Sequence, residues 1–141
     1  MMANNSVDCV FCNEAGGDIV WSNALARVVR VNDADHPAFC RVIVQWHVRE
    51  MTDLDEAQRM ELMRIVFAVE QAQRKLLDPE KINLASFGNM VPHVHWHVVP
   101  RFTRDPHYPN PVWGKHTSGT AQPLPEQYWQ RLGAELLAQL D

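Results

Sequence analysis

The stretch PHVHWHVVPR, residues 92–101, carries histidines at three alternate positions, His93, His95 and His97. Because successive side chains of a β-strand point to opposite faces, this spacing predicts a strand with all three imidazoles on one face. The other face is apolar and is expected to pack against a helix; it consists of Val94, Trp96 and Val98. Imidazole side chains bind metals, transfer protons and act as nucleophiles. The stretch therefore predicts both a strand and a functional site.

A single metal ion is a poor match for all three histidines. Neighbours on one face of a strand lie about 6–7 Å apart, whereas zinc–nitrogen bonds are about 2 Å long. Two alternate histidines can close on one ion, which leaves the third for other work. The spacing of the histidines is therefore compatible with both metal binding and catalysis.

The surrounding residues predict an α+β domain with a mainly antiparallel sheet. The β-branched stretches ARVVRV (26–31) and FCRVIVQW (39–46) are expected to pair as strands, and INLASF (82–87) forms another strand. Between the second and third of these strands, apolar residues at helical spacing predict a long helix from Thr52 to about Leu77. A capping box of Thr52 and Asp55 is expected to begin it.

The rest of the chain is expected to be an irregular, proline-containing segment and a short C-terminal helix. Five prolines interrupt residues 104–125, and an amphipathic helix is predicted from Glu126 to Leu140. A length of 141 residues fits one domain, with its core at about residues 9–101 and the irregular segment and last helix in residues 102–141.

Composition narrows the possible partners. The formal net charge of −4 argues against a nucleic-acid groove, and no apolar run is long enough to cross a membrane. The polar start MMANNSVDC does not read as a signal peptide, so a cytoplasmic location is expected. The chain has three cysteines, of which Cys9 and Cys12 form a Cys-x-x-Cys pair that indicates metal binding or redox chemistry. The third, Cys40, is expected to be buried in a strand.

The triad stretch resembles the His-φ-His-φ-His-φ-φ pattern (φ, apolar) of the histidine triad (HIT) superfamily of nucleotide hydrolases and transferases. The similarity extends to CVFC near the N terminus, a strand ending at His47, the amphipathic helix and INLASFGN before the triad. It implies a HIT-like fold with about five antiparallel strands, one long helix and a short C-terminal helix. It also implies a homodimer.

The resemblance implies a covalent mechanism carried by His93, His95 and His97. His95 would attack the α-phosphorus of a purine nucleotide derivative, such as a phosphoramidate, a nucleotidyl ester or a dinucleoside polyphosphate. Water would then hydrolyse the nucleotidyl-histidine. His97 would bind phosphate oxygens and assist proton transfer, while the backbone carbonyl near His93 fixes the tautomer of His95. Two alternatives are a metallohydrolase that uses the triad as a catalytic metal site and a nucleotide-binding regulatory protein with little turnover.

The same resemblance assigns the binding residues. Asn83, Gly88 and Asn89 fall where the family contacts the phosphate, and Asn32 or Asp33 falls near the position that holds the ribose hydroxyls. Zinc-containing members suggest a structural zinc ion, not needed for the chemistry, whose ligands would be Cys9, Cys12, His47 and His93.

Several positions depart from the family pattern and leave the substrate open. Gln45 and Trp46 replace a proline–basic pair, Ala38 and Phe39 occupy a region where many members have another histidine, and Met90 stands where Ser or Thr is common. Three residues of the irregular segment are candidates for shaping the pocket, of this subunit or a neighbouring one: His107, Trp113 and His116. For each of them taken alone, a packed or exposed loop residue is the favoured interpretation.

Overall fold

Short β-branched strands pair antiparallel to build a five-stranded sheet in the order β1-β2-β3-β5-β4. The computed structural model describes residues 5–141. The strands are β1 (Asp18–Ser22), β2 (Ala26–Arg30), β3 (Cys40–Val44), β4 (Lys81–Ala85) and β5 (His95–Arg101). The helices are α1 (Val10–Asn13), α2 (Glu56–Leu77) and α3 (Tyr128–Leu140), with a short 3₁₀ turn at Met51–Asp53. The predicted α+β architecture of five antiparallel strands, one long helix and a short C-terminal helix is confirmed.

The two longer helices cover one face of the sheet. From α2, Leu62, Ile65 and Val69 are fully buried in a core that also contains Leu132 and Leu136 of α3. The apolar face of the triad stretch joins the same core, as predicted, through Val94, Trp96 and Val98. Burial of one face of β5 therefore fixes which way its histidines point, because a shift of one residue would bring imidazoles into the core.

Strand β1 has no counterpart among the segments located from the sequence. Three of its five residues are exposed, and its register with β2 shifts between Ile19 and Trp21. A bulge of this kind breaks the period-2 alternation by which strands are recognised.

The predicted start of the long helix was wrong by one turn. Asp55 is the N-cap of α2, and its side chain accepts a hydrogen bond from the Gln58 backbone N–H while the Gln58 side chain accepts from the Asp55 N–H. Thr52 instead lies in the 3₁₀ turn, which has its own reciprocal pair of Glu50 and Asp53. Two capping boxes in succession explain the error, since the sequence offers acidic or amide side chains at three-residue spacing twice.

The prediction that one strand carries all three triad histidines was wrong only for His93, which lies outside β5. Strand β5 begins at His95, where it pairs with Ile43, and His93 lies in the turn before it. The His93 backbone N–H donates to the Val91 carbonyl, and the fully buried imidazole packs against the N-terminal segment, beside Cys9 and Phe11. His93 therefore lies outside the strand but next to the same aromatic ring as His95, since Phe11 contacts both imidazoles.

Candidate functional site

His95 and His97 point to the same side of β5 and contact each other. Their ring centroids are 5.0 Å apart with the rings nearly perpendicular. The Nδ1 of His95 lies 2.6 Å from the His93 carbonyl oxygen, so in the neutral ring Nδ1–H donates to that oxygen. The lone pair of His95 is then on Nε2. The ring of Phe11 closes the other side of His95, with its centroid at 4.8 Å.

Both imidazoles are held neutral at pH 7 by their surroundings. Burial lowers the pKa of His95, opposed by its bond to His93 and assisted by the positive charge of Arg41. Burial, His95 and Arg41 together lower the pKa of His97 to about 4. A neutral imidazole keeps a free electron pair, which a nucleophile needs.

Arg41 is a site residue that the sequence reasoning missed. It is the cross-strand partner of His97, so the two side chains lie on the same face of the sheet. Among residues 5–141, the buried Nε of Arg41 and the buried Nδ1 of His97 have no hydrogen-bond partner. A guanidinium and an imidazole with unused polar atoms form an environment suited to an anion. The available signal was a charged residue inside the otherwise apolar stretch FCRVIV.

A cleft of about 1100 Å³ opens beside His97 and runs along β4. The Asn83 side chain lines it and accepts a hydrogen bond from Arg101 at 2.8 Å. Aromatic residues supply flat apolar walls: Phe39, Phe87, Tyr108 and Trp113. Phe39 stands edge-on to His97 with centroids 5.3 Å apart, and Phe87 contacts Trp113 at 4.9 Å. The buried His95 does not line the cleft, but its ring contacts His97, which does.

The other phosphate and ribose candidates are not among the residues that line this cleft. Gly88 has a φ of +84°, a left-handed conformation that favours glycine and turns the chain between β4 and the triad. Asn89 and Asn32 are exposed. The Asp33 carboxylate accepts hydrogen bonds from the backbone N–H groups of Asp35 and His36, so it shapes its own turn.

Four potential metal ligands, two sulfurs and two nitrogens, come together at the N-terminal side of the triad. The potential ligand atoms of Cys9, Cys12, His47 and His93 all lie within 4.8 Å of one another. The Cys9 Sγ is 3.3 Å from His93 Nδ1, and the Cys12 Sγ is 3.5 Å from His47 Nδ1. The ligands of a tetrahedral zinc ion are about 3.5 Å apart, since the bonds are about 2.0–2.3 Å long. These residues can therefore hold a metal ion.

The tautomer of His93 suits this purpose. Its Nε2 lies 2.6 Å from the Val44 carbonyl oxygen, to which Nε2–H donates, and Nδ1 faces the two cysteines. Metal-binding histidines commonly have their other ring nitrogen fixed in this way. One residue thus connects the two parts of the site, because its side chain joins the cysteine cluster while its carbonyl orients His95.

Arg27 connects the N-terminal segment that contains Cys9 and Cys12 to the sheet. The sequence did not predict this role. Its buried guanidinium donates to the carbonyl oxygens of Phe11, Glu14 and Ala15, and to the Gln45 side chain. Gln45, which departs from the family pattern, is therefore a partner of this arginine. Cys40 is fully buried as predicted, and burial raises the pKa of its thiol to about 12.

A family model described as the HIT domain matches residues 13–104. The chain belongs to the HIT family. No match was found among curated proteins. A histidine triad protein from Bradyrhizobium japonicum is 26% identical, with a TM-score of 0.73 and coverage of 99% of this chain and 100% of its own. One from Marinobacter aquaeolei VT8 is 30% identical, with a TM-score of 0.70 and coverage of 90% and 93%.

A third solved structure shares the fold at lower identity. It is a Zn-bound histidine triad family protein from Mycobacterium smegmatis, 20% identical, with a TM-score of 0.64 over 93% of this chain and 94% of its own. Within residues 5–141, no helix of this HIT protein has the length and apolar character needed to cross a bilayer.

Proposed function

We propose that this HIT protein is a nucleotide hydrolase or nucleotidyltransferase that forms a covalent nucleotidyl-histidine on His95. The observation that carries the proposal is the 2.6 Å contact between His95 Nδ1 and the His93 carbonyl, which leaves Nε2 unprotonated. The substrates are purine nucleoside monophosphate derivatives: phosphoramidates, nucleotidyl esters or dinucleoside polyphosphates. The family match over residues 13–104 supports this class, and a single domain spanning the chain is part of the proposal.

The proposed reaction has two steps. The His95 Nε2 electron pair forms a bond to the α-phosphorus while the bond to the leaving group breaks, and the leaving group departs with that electron pair and takes up a proton. Water then attacks the same phosphorus, the bond from phosphorus to His95 Nε2 breaks with its electron pair returning to the nitrogen, and the second proton of the water passes to His97. His93 acts through its carbonyl, and His97 and Arg41, which are cross-strand partners, would bind the phosphate oxygens.

The bound anion is expected to change His97. The negative charge of a phosphoryl group at hydrogen-bond distance favours the protonated imidazole, which opposes the burial that lowers its pKa in the free protein. His97 can then pass a proton to the leaving group. The cleft beside it would hold the rest of the substrate between Phe39, Phe87 and Trp113, with Asn83 near the phosphate end and Gly88, Asn89 and Asn32 or Asp33 contributing as the resemblance implies.

A structural zinc ion is part of the proposal, bound by Cys9, Cys12, His47 and His93. The donor set of two thiols and two imidazoles and the short ligand spacing support it. The zinc-bound relative from M. smegmatis has the same fold. Zinc here would fix the position of the N-terminal segment and of His93, and the reacting phosphorus would not need it. The three free cysteines accord with a reducing, cytoplasmic location.

Turnover of an adenosine phosphoramidate in the presence of a chelator separates this mechanism from a metallohydrolase. We expect turnover to continue after the metal is removed, as long as circular dichroism shows an intact fold, and the melting temperature to fall because the zinc cross-link is lost. Immediate loss of turnover with the fold intact would instead favour the triad as a catalytic metal site. Binding of nucleotide without any turnover across adenylated and guanylated substrates would favour a regulatory protein.

We also propose that the protein is a homodimer. Among the described residues, β4 pairs only with β5, so its outer edge is free to pair with another chain. Met60 and Phe67, seven residues apart on one face of α2, are 67% and 48% exposed, so this helix also offers apolar side chains to a partner. Sedimentation velocity at micromolar concentration is expected to give a dimer mass, and a monomer would contradict this part of the proposal.

A further inference from the structure

A second cluster of potential metal ligands lies away from the cysteines. It joins Asp35 in the β2–β3 connection to His107 and His116 in the irregular segment after β5, and their potential ligand atoms all lie within 4.8 Å of one another. His116 Nε2 is 3.6 Å from the Asp35 carboxylate, and the rings of His107 and His116 have centroids 4.2 Å apart. Two imidazoles and a carboxylate make a donor set that zinc and related divalent metals bind.

The backbone holds these ligands in place. The Thr117 N–H donates to the Pro106 carbonyl at 2.6 Å, which closes a loop and brings positions 107 and 116 side by side. Within that loop the Asn110 side chain donates to the Lys115 carbonyl. The His107 backbone N–H donates to the buried Asp105 carboxylate at 3.0 Å. Much of the ordering that a metal site requires is therefore already provided by the fold.

His36 contacts the ring of His107 and fixes its orientation. It is buried, and its Nε2 lies 2.9 Å from His107 Nδ1. Since that nitrogen of His107 is occupied by His36, Nε2 of His107 is the one left for a metal ion. A fixed second nitrogen is the usual arrangement for a metal-binding histidine. The side chains of His116 and Asp35 are 65% and 42% exposed, so an ion can enter from solvent and these two ligands can adjust to it.

We propose that Asp35, His107 and His116 bind a second divalent ion of the zinc class, independent of the Cys9–Cys12 cluster. The remaining coordination positions face solvent and would be filled by water. Such an ion would cross-link the β2–β3 connection to the segment that supplies Tyr108 and Trp113 to the cleft wall. Occupancy of the second site would thereby make that wall more rigid.

Zinc stoichiometry tests the proposal directly. Apo protein dialysed against micromolar zinc is expected to retain two equivalents of zinc per chain. The variants His116→Ala and Asp35→Ala are each expected to retain one equivalent. Loss of an outer-shell partner alone costs about 10–100-fold in metal affinity, so removal of a ligand should weaken the second equivalent by at least about 100-fold. Lys115→Ala, which alters the exposed neighbour of His116, is the matched control and should retain two.

Cobalt distinguishes the two sites by their ligands. Thiolate-to-cobalt absorption should appear with one equivalent and depend on Cys9 and Cys12, whereas the other equivalent should add no thiolate band and disappear in His116→Ala. The proposal is overturned if wild type retains a single equivalent that carries the thiolate band. It is equally overturned if His116→Ala retains two, or if the second equivalent binds only at millimolar zinc as an adventitious ion. One equivalent without a thiolate band would leave this site standing and contradict the cysteine site.

Discussion

Replacement of His95 by alanine is expected to lower the turnover of an adenosine phosphoramidate by at least about 10⁴-fold, as removal of a nucleophile does in other covalent hydrolases. The reason is geometric: His95 has its Nδ1 committed to the His93 carbonyl and Nε2 left with a free electron pair. His97 has no such backbone partner, since its buried Nδ1 is unpaired within residues 5–141. Steady-state kinetics with the release of nucleoside monophosphate as readout measures the effect.

The matched control for this variant is Trp96→Phe. Trp96 is the next residue on β5 and faces the core, where its indole N–H donates to the Met51 sulfur. We expect this change to alter stability more than turnover. A His95→Gly variant gives a second test, because added imidazole can occupy the vacated space and restore part of the activity if the ring itself reacts. Near-wild-type turnover by His95→Ala would rule out the nucleophile assignment.

Asp105→Asn is expected to lower the free energy of unfolding by about 3 kcal/mol, because removing one partner of a buried ion pair leaves the other charge uncompensated. Arg101 and Asp105 are both almost completely buried, and the guanidinium donates to the carboxylate at 2.9 and 3.1 Å. The same carboxylate accepts from the backbone N–H groups of Phe102, His107 and Tyr108. Burial alone would raise the pKa of Asp105, but these donors hold it well below its usual range.

The Asp105→Asn substitution should also weaken substrate binding in the cleft. Arg101 also donates to Asn83 and to the Asn110 carbonyl, so the ion pair fastens the irregular segment to β4 and β5. We therefore expect KM to rise more than kcat falls. The substitution loosens the segment that holds Tyr108 and Trp113 in the cleft wall, whereas the hydrogen bond that orients His95 is unchanged. Chemical denaturation and steady-state kinetics provide the two measurements.

Glu80→Gln is the matched control for Asp105→Asn. Glu80 is also a carboxylate that holds the irregular segment, through the Thr103 N–H and hydroxyl, but both residues are exposed. Interactions of exposed charges contribute less than about 1 kcal/mol. Equal losses of stability in the two variants would contradict the assigned role of burial.

The sequence predicted the parts of this protein whose signal is local and periodic. Alternation around His95 and His97 identified β5, and helical spacing identified α2 and α3, because burial of one face imposes these periods directly. Strand β1 was missed where a bulge interrupts alternation, and the start of α2 was misplaced because two capping pairs follow each other.

The sequence predicted the site residues that follow a motif. It did not predict those whose role depends on a neighbouring strand. The residues that the resemblance to zinc-containing members predicted as a set lie together in the fold: Cys9, Cys12, His47 and His93. Arg41 and Arg27 were not named, since their roles follow from register with β5 and from contacts with distant carbonyls. The position of His93 outside β5 also depends on where β3 stops pairing with that strand.

The covalent adduct itself tests the central claim most directly. Wild type and His97→Ala are mixed with adenylated and guanylated substrates, quenched in alkali to preserve phosphorus–nitrogen bonds, digested and mapped by mass spectrometry. We predict a nucleoside monophosphate adduct on His95, more abundant in His97→Ala because its hydrolysis is slowed. Turnover by wild type without an adduct on His95 in either protein, or with the adduct on another residue, would contradict the account.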